Sequence, residues 1–519
     1  MGQLAGVSVT SVGKESKRVI VSYAPATGEA LGEVPVMTPE EVGAAVKRAR
    51  LAQESWALLP IEERCERILR FRDVFVDRAE EVVDLLSREC GKPRTEALAH
   101  EVAVTADLAT YFAKRAAKFL APREIEMHLL KHRRSYVHYP PRGVIGIISP
   151  WNFPLVIPIG DTIMALIAGN AVVLKPSEVT PLIALKVKEV YDAAGMPDDL
   201  FQVVTGDGAT GAALIDARPD KIVFTGAVST GRKVAAACGE RLIPCTMELG
   251  GKAAAIVCAD ADLERAARAI VWGGFANSGQ VCVSVERVYA HESIYEKLAE
   301  RVTELTGQLR QGDPLDHGTD VGAIIFPKQI EVAQGLIADA VAKGAHIEVG
   351  GDRREGPGQF FQPTVLTGCT QDMAVMREEI FGPVVPIMKV RDEDQAVALA
   401  NDSSLGLMGY VFTKDRDKGR RLAERIRAGT VMVNDVLSAY GAPETPFGGV
   451  KDSGFGRVHG EEGLRDLCEM RHVNYDRVSI GVREPFWYPY GERGYNTALK
   501  ALRLLFRRGP TVKKILDLF

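Results

Sequence analysis

The sequence predicts an α/β protein built around a doubly wound parallel sheet, and three observations carry that reading. Short, fully apolar runs, GVIGIIS at 143–149, AVVL at 171–174 and KIVFT at 221–225, alternate with helix-length stretches; this is the pattern of strands covered by helices on both faces. The runs give way to turns rich in Pro, Gly and polar residues, where such a sheet takes nucleotides at the carboxyl ends of its strands. At 519 residues the chain exceeds what one hydrophobic core supports, so two or three domains are expected.

The elements follow in order. TPEEVGAAVKRARL, Thr38 to Leu51, opens with a Thr cap, a Pro at the first helical position and acids in the first turn, and Ile61 to Arg115 keeps a largely helical period. The first strand, Gly143 to Ser149, ends at Pro150 and leads to a helix from about Leu155 to Leu166. After the second strand, Thr180-Pro181 is expected to cap a helix that stops at Gly195-Met196-Pro197. Phe201 to Thr205 and Lys221 to Thr225 make the third and fourth strands.

Composition narrows the function. With 46% hydrophobic and 25% charged residues and a net charge of -4, this is an ordinary globular chain with no bulk electrostatic pull toward nucleic acid. Eight scattered cysteines without a CxxC pair fit reduced cytoplasmic thiols. MGQLAGVSVTSVGKESKRV lacks the apolar core of a signal peptide. The histidines, including the i, i+4 pair His128 and His132, come with no HExxH, so surface positions and no metal are expected.

The strand ends hold the candidate chemistry. SPWNFP (149–154), KPSE (175–178) and the GxxxxG turn Gly226 to Gly231 follow three strands. An acid there can accept ribose hydroxyls, and a glycine-bounded turn at a helix start can approach phosphate. Glu248 precedes a Gly-Gly turn. Cys282 lies in NSGQVCVSVER, after Gly279-Gln280 and ahead of a β-branched run that reads as a strand. By itself it is either a buried small hydrophobe or a nucleophile held on a turn.

Together with FTGAVSTG (224–231), MELGGK (247–252), FANSGQVC (275–282), EEIFGPV (378–384), VMVND (431–435) and PFGGVKDSGFGR (446–457), these motifs make the chain resemble the aldehyde dehydrogenase superfamily over about residues 20 to 475. The resemblance implies NAD(P)-dependent oxidation of an aldehyde to the acid. Cys282 would be the nucleophile, its pKa modestly lowered, forming a thiohemiacetal and then a thioester; Asn152 would be the oxyanion donor, and Glu248 the base that activates water. It implies a cofactor site from Ser149, Pro150, Trp151, Lys175, Ser177, Glu178, Gly208, Phe224, Thr225, Gly226, Ala227, Thr230, Gly231, Leu249, Gly250, Glu379 and Phe381. Glu178 favours NAD, with NADP still usable, because a carboxylate repels a 2'-phosphate. Glu248 favours hydrolysis over acyl transfer to coenzyme A. The alternative is a non-catalytic binding or structural protein on the same fold.

The resemblance further implies an NAD(P)-binding domain (1–127 and 143–252), a catalytic domain (253–450) and a small β-arm for oligomerisation (128–142 and 451–475) that makes a homodimer or homotetramer. Residues 476–519 form a C-terminal extension. There Pro485 to Tyr490 is an aromatic cluster, and NTALKALRLLFRR places Leu499, Leu502 and Phe506 on one face and Lys500, Arg503 and Arg507 on another. Either peripheral membrane contact or packing on a neighbouring subunit is expected of it. The tail resembles fatty-aldehyde-oxidising relatives and the body the succinate-semialdehyde branch, which would need a basic residue in the pocket.

Overall fold

The computed structural model describes residues 9–12, 17–478, 484 and 487–508. The first eight residues of the chain, Pro485-Phe486 of the aromatic cluster and the basic pair Lys513-Lys514 lie outside the described residues. Two compact units are present: Met1–Leu120 with Pro140–Glu469, and Ala121–Tyr139 with Met470–Phe519.

The first unit opens largely helical. α1 (Pro39–Ala57) has the predicted start: Thr38 Oγ1 accepts from Glu41 N at 3.3 Å, and Glu41 Oε2 accepts from Thr38 N at 2.8 Å. α2 (Ile61–Asp77), α3 (Ala79–Cys90) and α4 (Ala103–Phe119) follow, and a π-helical turn at Ala97–Val102 leads into α4.

The first sheet comprises β1 (Val144–Ile148), β2 (Ala171–Lys175), β3 (Phe201–Val203), β4 (Lys221–Thr225) and β5 (Cys245–Glu248), parallel in the order β5-β4-β1-β2-β3. The strand order reverses between β1 and β4, so the crevice for a ligand opens there, at the carboxyl edge. Helices α5 (Val156–Ala168), α6 (Leu182–Ala193), α7 (Gly208–Asp216) and α8 (Val228–Arg241) alternate with the strands. All of α5 is buried. Thr180 does not cap α6: its hydroxyl is buried without a partner among the described residues. The amides of Leu182 and Ile183 donate instead to the Glu89 carboxylate at 2.8 and 2.9 Å. A buried acid from α3 thus satisfies amides whose own helix starts on Pro181.

The second sheet contains β6 (Ala254–Val257), β7 (Arg287–His291), β8 (His346–Val349), β9 (Thr364–Thr367), β10 (Val384–Val390), β11 (Met408–Phe412) and β12 (Thr430–Val433), in the order β8-β9-β10-β7-β6-β11-β12. Only β8 runs antiparallel to its neighbour. Helix α9 (Leu263–Phe275) lies between β6 and β7 in the chain. The strand expected after Cys282 is β7, which enters its ladder only at Arg287; Val283 to Glu286 join none. β13 (Gly454–Phe455) returns to the first sheet and pairs antiparallel with β5, Gly454 opposite Glu248. Residues 451–469 therefore belong to the first unit.

In the second unit Arg471–Asp476 pairs with Arg133–His138, which pairs with Arg123–Ile125, all antiparallel. Tyr136 and Tyr475 stack at 6.0 Å. Helix α10 (Glu492–Phe506) buries none of its residues. No helix among the described residues is long and apolar enough to cross a membrane.

Candidate active site

Cys282 follows a short turn, Ala276–Gly279, that leaves α9 with Asn277 and Ser278 in left-handed backbone, φ 48° and 56°. Such strain persists only where surroundings fix it. Here Asn277 N donates to the buried Glu96 carboxylate at 2.9 Å, and Ser278 Oγ to Gly322 O at 3.0 Å. Gln280 clamps the turn from both ends: its Nε2 donates to Asn277 O at 2.8 Å and its Oε1 accepts from Ile325 N at 2.8 Å. Gly279 has φ +73°, and a Cβ on it would stand 2.2 Å from Gly382 O. A Cβ on Gly251 would stand 2.3 Å from Cys282 O, so the second glycine of MELGGK lets this loop approach the first sheet.

Asn152 comes to the same place from the end of β1. Its Nδ2 donates one hydrogen to Gln280 O at 3.0 Å, which leaves the second hydrogen for a ligand. Lys92 holds its backbone, Nζ to Asn152 O at 2.9 Å, and pairs with Glu101 where neither side chain is exposed. The other oxygen of Glu101 accepts from Leu155 N and Val156 N at 2.9 and 3.1 Å, which caps α5.

Glu248 ends β5 with both carboxyl oxygens buried and without a hydrogen-bond partner among the described residues. Burial pushes its carboxyl well above the ordinary range; Asp161 adds to the rise and Arg457 opposes it. The Cys282 thiol is pushed up to about 12, first by burial and then by Glu379 and Glu248, while the amides of Cys282 and Val283 pull it down. In the free protein this departs from the modest lowering expected of it: the nearest charges are acids, and no cation offsets the loss of water.

Cys282 borders two cavities. One, of about 300 Å³, is lined by apolar groups including Val104, Phe153, Val281 and Phe447, with no Lys, Arg, Asp or Glu. His100 and Trp272 stand in its wall with ring centroids 5.6 Å apart, and burial keeps His100 neutral, down to about 4. The other, of about 20 Å³, touches Cys282, Glu248, Asp161, Thr225 and Tyr440. A thiol between an apolar chamber and a water-sized void beside a carboxyl is suited to acyl chemistry finished by water.

The aldehyde dehydrogenase family model matches residues 12–473. The chain belongs to the aldehyde dehydrogenase family. It is 39% identical over 483 residues to the 4,4'-diapolycopene aldehyde oxidase of a Methylomonas species, covering 92% of this chain and 89% of that one. It is also 39% identical over 468 residues, 89% and 90% of the two chains, to a Mycobacterium ulcerans strain Agy99 protein provisionally named succinate-semialdehyde dehydrogenase (NADP+) 2. A solved Bacillus cereus aldehyde dehydrogenase in complex with NAD+ superposes with a TM-score of 0.85 at 33% identity, covering 91% of this chain and 96% of that one.

In this aldehyde dehydrogenase the residues expected to face a dinucleotide gather along the carboxyl edge of the first sheet. Lys175 Nζ pairs with Glu178 Oε2 at 2.8 Å beyond β2, next to Ser177. Phe224 and Thr225 end β4, Gly226 and Ala227 make the turn, and Thr230 and Gly231 lie at the start of α8. Its cap, Ala227, provides no side-chain acceptor, and neither Val228 N nor Ser229 N finds one among the described residues. These amides and the positive helix end fit a pyrophosphate. Gly208 follows β3 at the same edge, at the start of α7. Leu249 and Gly250 lead to Gly251, whose amide donates to Glu379 Oε1 at 2.9 Å. Glu286 accepts from Ile380 N and Phe381 N at 3.0 and 2.8 Å, and the Phe381 ring meets Trp151, which follows Ser149 and Pro150, edge to face at 5.3 Å.

Sequence reasoning missed Lys92, Glu96, Glu101, Asp161 and Tyr440. Only Asp161 left a signal, as the one charged residue in an otherwise uncharged helix. His459, buried with neither ring nitrogen hydrogen-bonded among the described residues, 4.6 Å from the Tyr440 ring, was also missed among the supposed surface histidines. The acidic cluster of Cys258, Asp260 and Glu393 is met by Lys418, with Nζ 2.8 Å from Asp260.

Proposed function

We propose that this enzyme oxidises an apolar aldehyde to its carboxylic acid, with NAD(P) as the hydride acceptor. The observation that supports this most is the position of Cys282, between an apolar cavity without a charged side chain and a void shared with Glu248. Succinate semialdehyde carries a carboxylate that this chamber would strip of water without a partner. The name of the Methylomonas relative, an oxidase of a 4,4'-diapolycopene aldehyde, points the same way.

In this reading Cys282 Sγ adds to the aldehyde carbon, and the oxyanion is held by the free Asn152 Nδ2 hydrogen and the Cys282 amide. When bound, the oxidised dinucleotide brings a cationic ring that favours the thiolate and accepts the hydride, leaving a thioester on Cys282. Glu248 then takes a proton from the water that cleaves the thioester. Phosphate amides at α8 and the acids Glu178 and Glu379 hold the dinucleotide, and Glu178 favours NAD over NADP.

The test is a pair of variants. Cys282→Ala loses NADH formation and keeps dinucleotide binding; Glu248→Gln keeps a first turnover of NADH while its steady rate falls by about 10²- to 10⁴-fold. Undiminished turnover by Cys282→Ala refutes the mechanism. Two further readings concern partners. The three-stranded sheet of the second unit leaves both outer strands an unpaired edge among the described residues, which supports self-association, checked by sedimentation. The exposed face of α10, with Leu502 and Phe506 more than half exposed beside Arg503, supports contact with an anionic membrane surface, checked by liposome flotation.

A further inference from the structure

Asp161 is the one charged residue of α5, a helix in which every residue is buried. It is 3% exposed, and its carboxyl receives no hydrogen bond among the described residues. It lines the same small void as Glu248 and Cys282. At about 20 Å³ that void is close to the smallest that holds one water, and Thr225 and Tyr440 supply further polar atoms.

The groups facing the two acids leave their charge uncompensated. Lys221, the cation that acts on Asp161, has its Nζ 2.8 Å from Asp466. Arg457, which acts on Glu248, spends its Nη1 on Gly449 O at 3.0 Å and Gly456 O at 2.5 Å. Tyr440 stays a neutral phenol, because burial and the neighbouring acids Asp161 and Glu248 push its hydroxyl well above the ordinary range. Two carboxyls around one water-sized void cannot both ionise cheaply.

We propose that Asp161 is the acid–base partner of Glu248: the two share one proton across the void, the ionised carboxyl taking the proton of the attacking water while the protonated one holds that water by a hydrogen bond. This deepens the function proposed above and rests on it. In the step itself, the water oxygen bonds to the thioester carbon and the C–S bond breaks. The electron pair leaves on Cys282 Sγ as thiolate, one water proton passes to the ionised carboxyl, and the acid departs with the other. Burial raises Asp161 to about 7, in keeping with a resident proton near neutrality.

The test uses the full chain with NAD+ present, whose cationic ring favours the thiolate, and no aldehyde. A p-nitrophenyl ester acylates Cys282 directly, so nitrophenolate appears in a burst, which reads acylation, and then in a steady phase, which reads hydrolysis. In Asp161→Asn the burst keeps its amplitude and the steady phase slows by about 10²-fold. The acid limb of its pH profile moves to lower pH, because Glu248 has lost a like-charged neighbour. Hydroxylamine, which attacks a thioester without a base, restores the steady rate.

A steady phase within about twofold of wild type, with the limb unmoved, overturns the proposal, as does loss of the burst at an unchanged melting temperature. If Asp161→Asn does not fold, Asp161→Ser is read in the same two phases. Failure of the underlying reading is distinguishable: the wild type then forms no NADH from any aldehyde, and Cys282→Ala releases nitrophenolate as the wild type does.

Discussion

Lengthening an aldehyde by one methylene at a time, and then exchanging its terminal methyl for a carboxylate, probes the chamber beside Cys282 directly. Its wall has apolar side chains, a His100 held neutral and no Lys or Arg. Each methylene that leaves water there contributes about 0.8 kcal/mol, a factor of about four in kcat/KM until the cavity is filled. A terminal carboxylate would lose its hydration with no cation to meet it, a cost of several kcal/mol, so the semialdehyde falls at least about 10²-fold below the apolar aldehyde of equal length. Initial rates of NADH formation across the two series measure both slopes. A kcat/KM that is flat with chain length, or higher for the carboxylate-ended substrate, refutes the apolar assignment and requires a cation reaching the chamber from elsewhere.

Two further outcomes follow from buried features. Glu89, at 0% exposure, accepts from Ser22 Oγ, Leu182 N and Ile183 N, and burial raises its carboxyl from 4.5 to about 7. The folded state therefore binds a proton that the unfolded chain has released, so the stability advantage of wild type over Glu89→Gln shrinks as pH rises from 4.5 to about 7; melting temperatures across that window check it, and an advantage that grows contradicts it. Gly279→Ala forces a Cβ to 2.2 Å from Gly382 O at φ +73°, so the Cys282 loop must shift and kcat falls by about 10²-fold while secondary structure is kept. Wild-type kcat in that variant shows that the turn does not position the thiol.

How much was legible depended on where each residue sits in its pattern. Apolar runs fixed β1, β2 and β4 because a parallel strand buried on both faces has no other composition. Cys282 and Asn152 stand in loops and Glu248 at the last position of β5 before a Gly-Gly turn, where Gly, Pro and polar residues interrupt the periodicity and mark themselves. Glu96 and Glu101 lie in helical turns, where a charge reads as a solvated face, and Lys92 lies in the short link after α3; only the tertiary fold turns these groups inward onto Asn152 and Asn277. Val283 to Glu286 stay outside the strand that follows Cys282 for a related reason. The β-branched pattern records burial there, and burial came from loop packing without a partner strand. Thr180 looked like a cap because local sequence cannot reveal that an acid 93 residues before Leu182 supplies the acceptor.

The pairing of β13 with β5 sets an order on synthesis. Glu248 and its partner Gly454 are 206 positions apart, 454 minus 248. At roughly 5–20 residues per second, the strand that ends in Glu248 waits about 10–40 seconds on the ribosome for its neighbour. During that interval it is an open edge, with backbone donors and acceptors available to any extended chain nearby. A messenger truncated before Gly454 makes that exposure permanent, so the products of premature termination are the species for which a chaperone or protease is most needed.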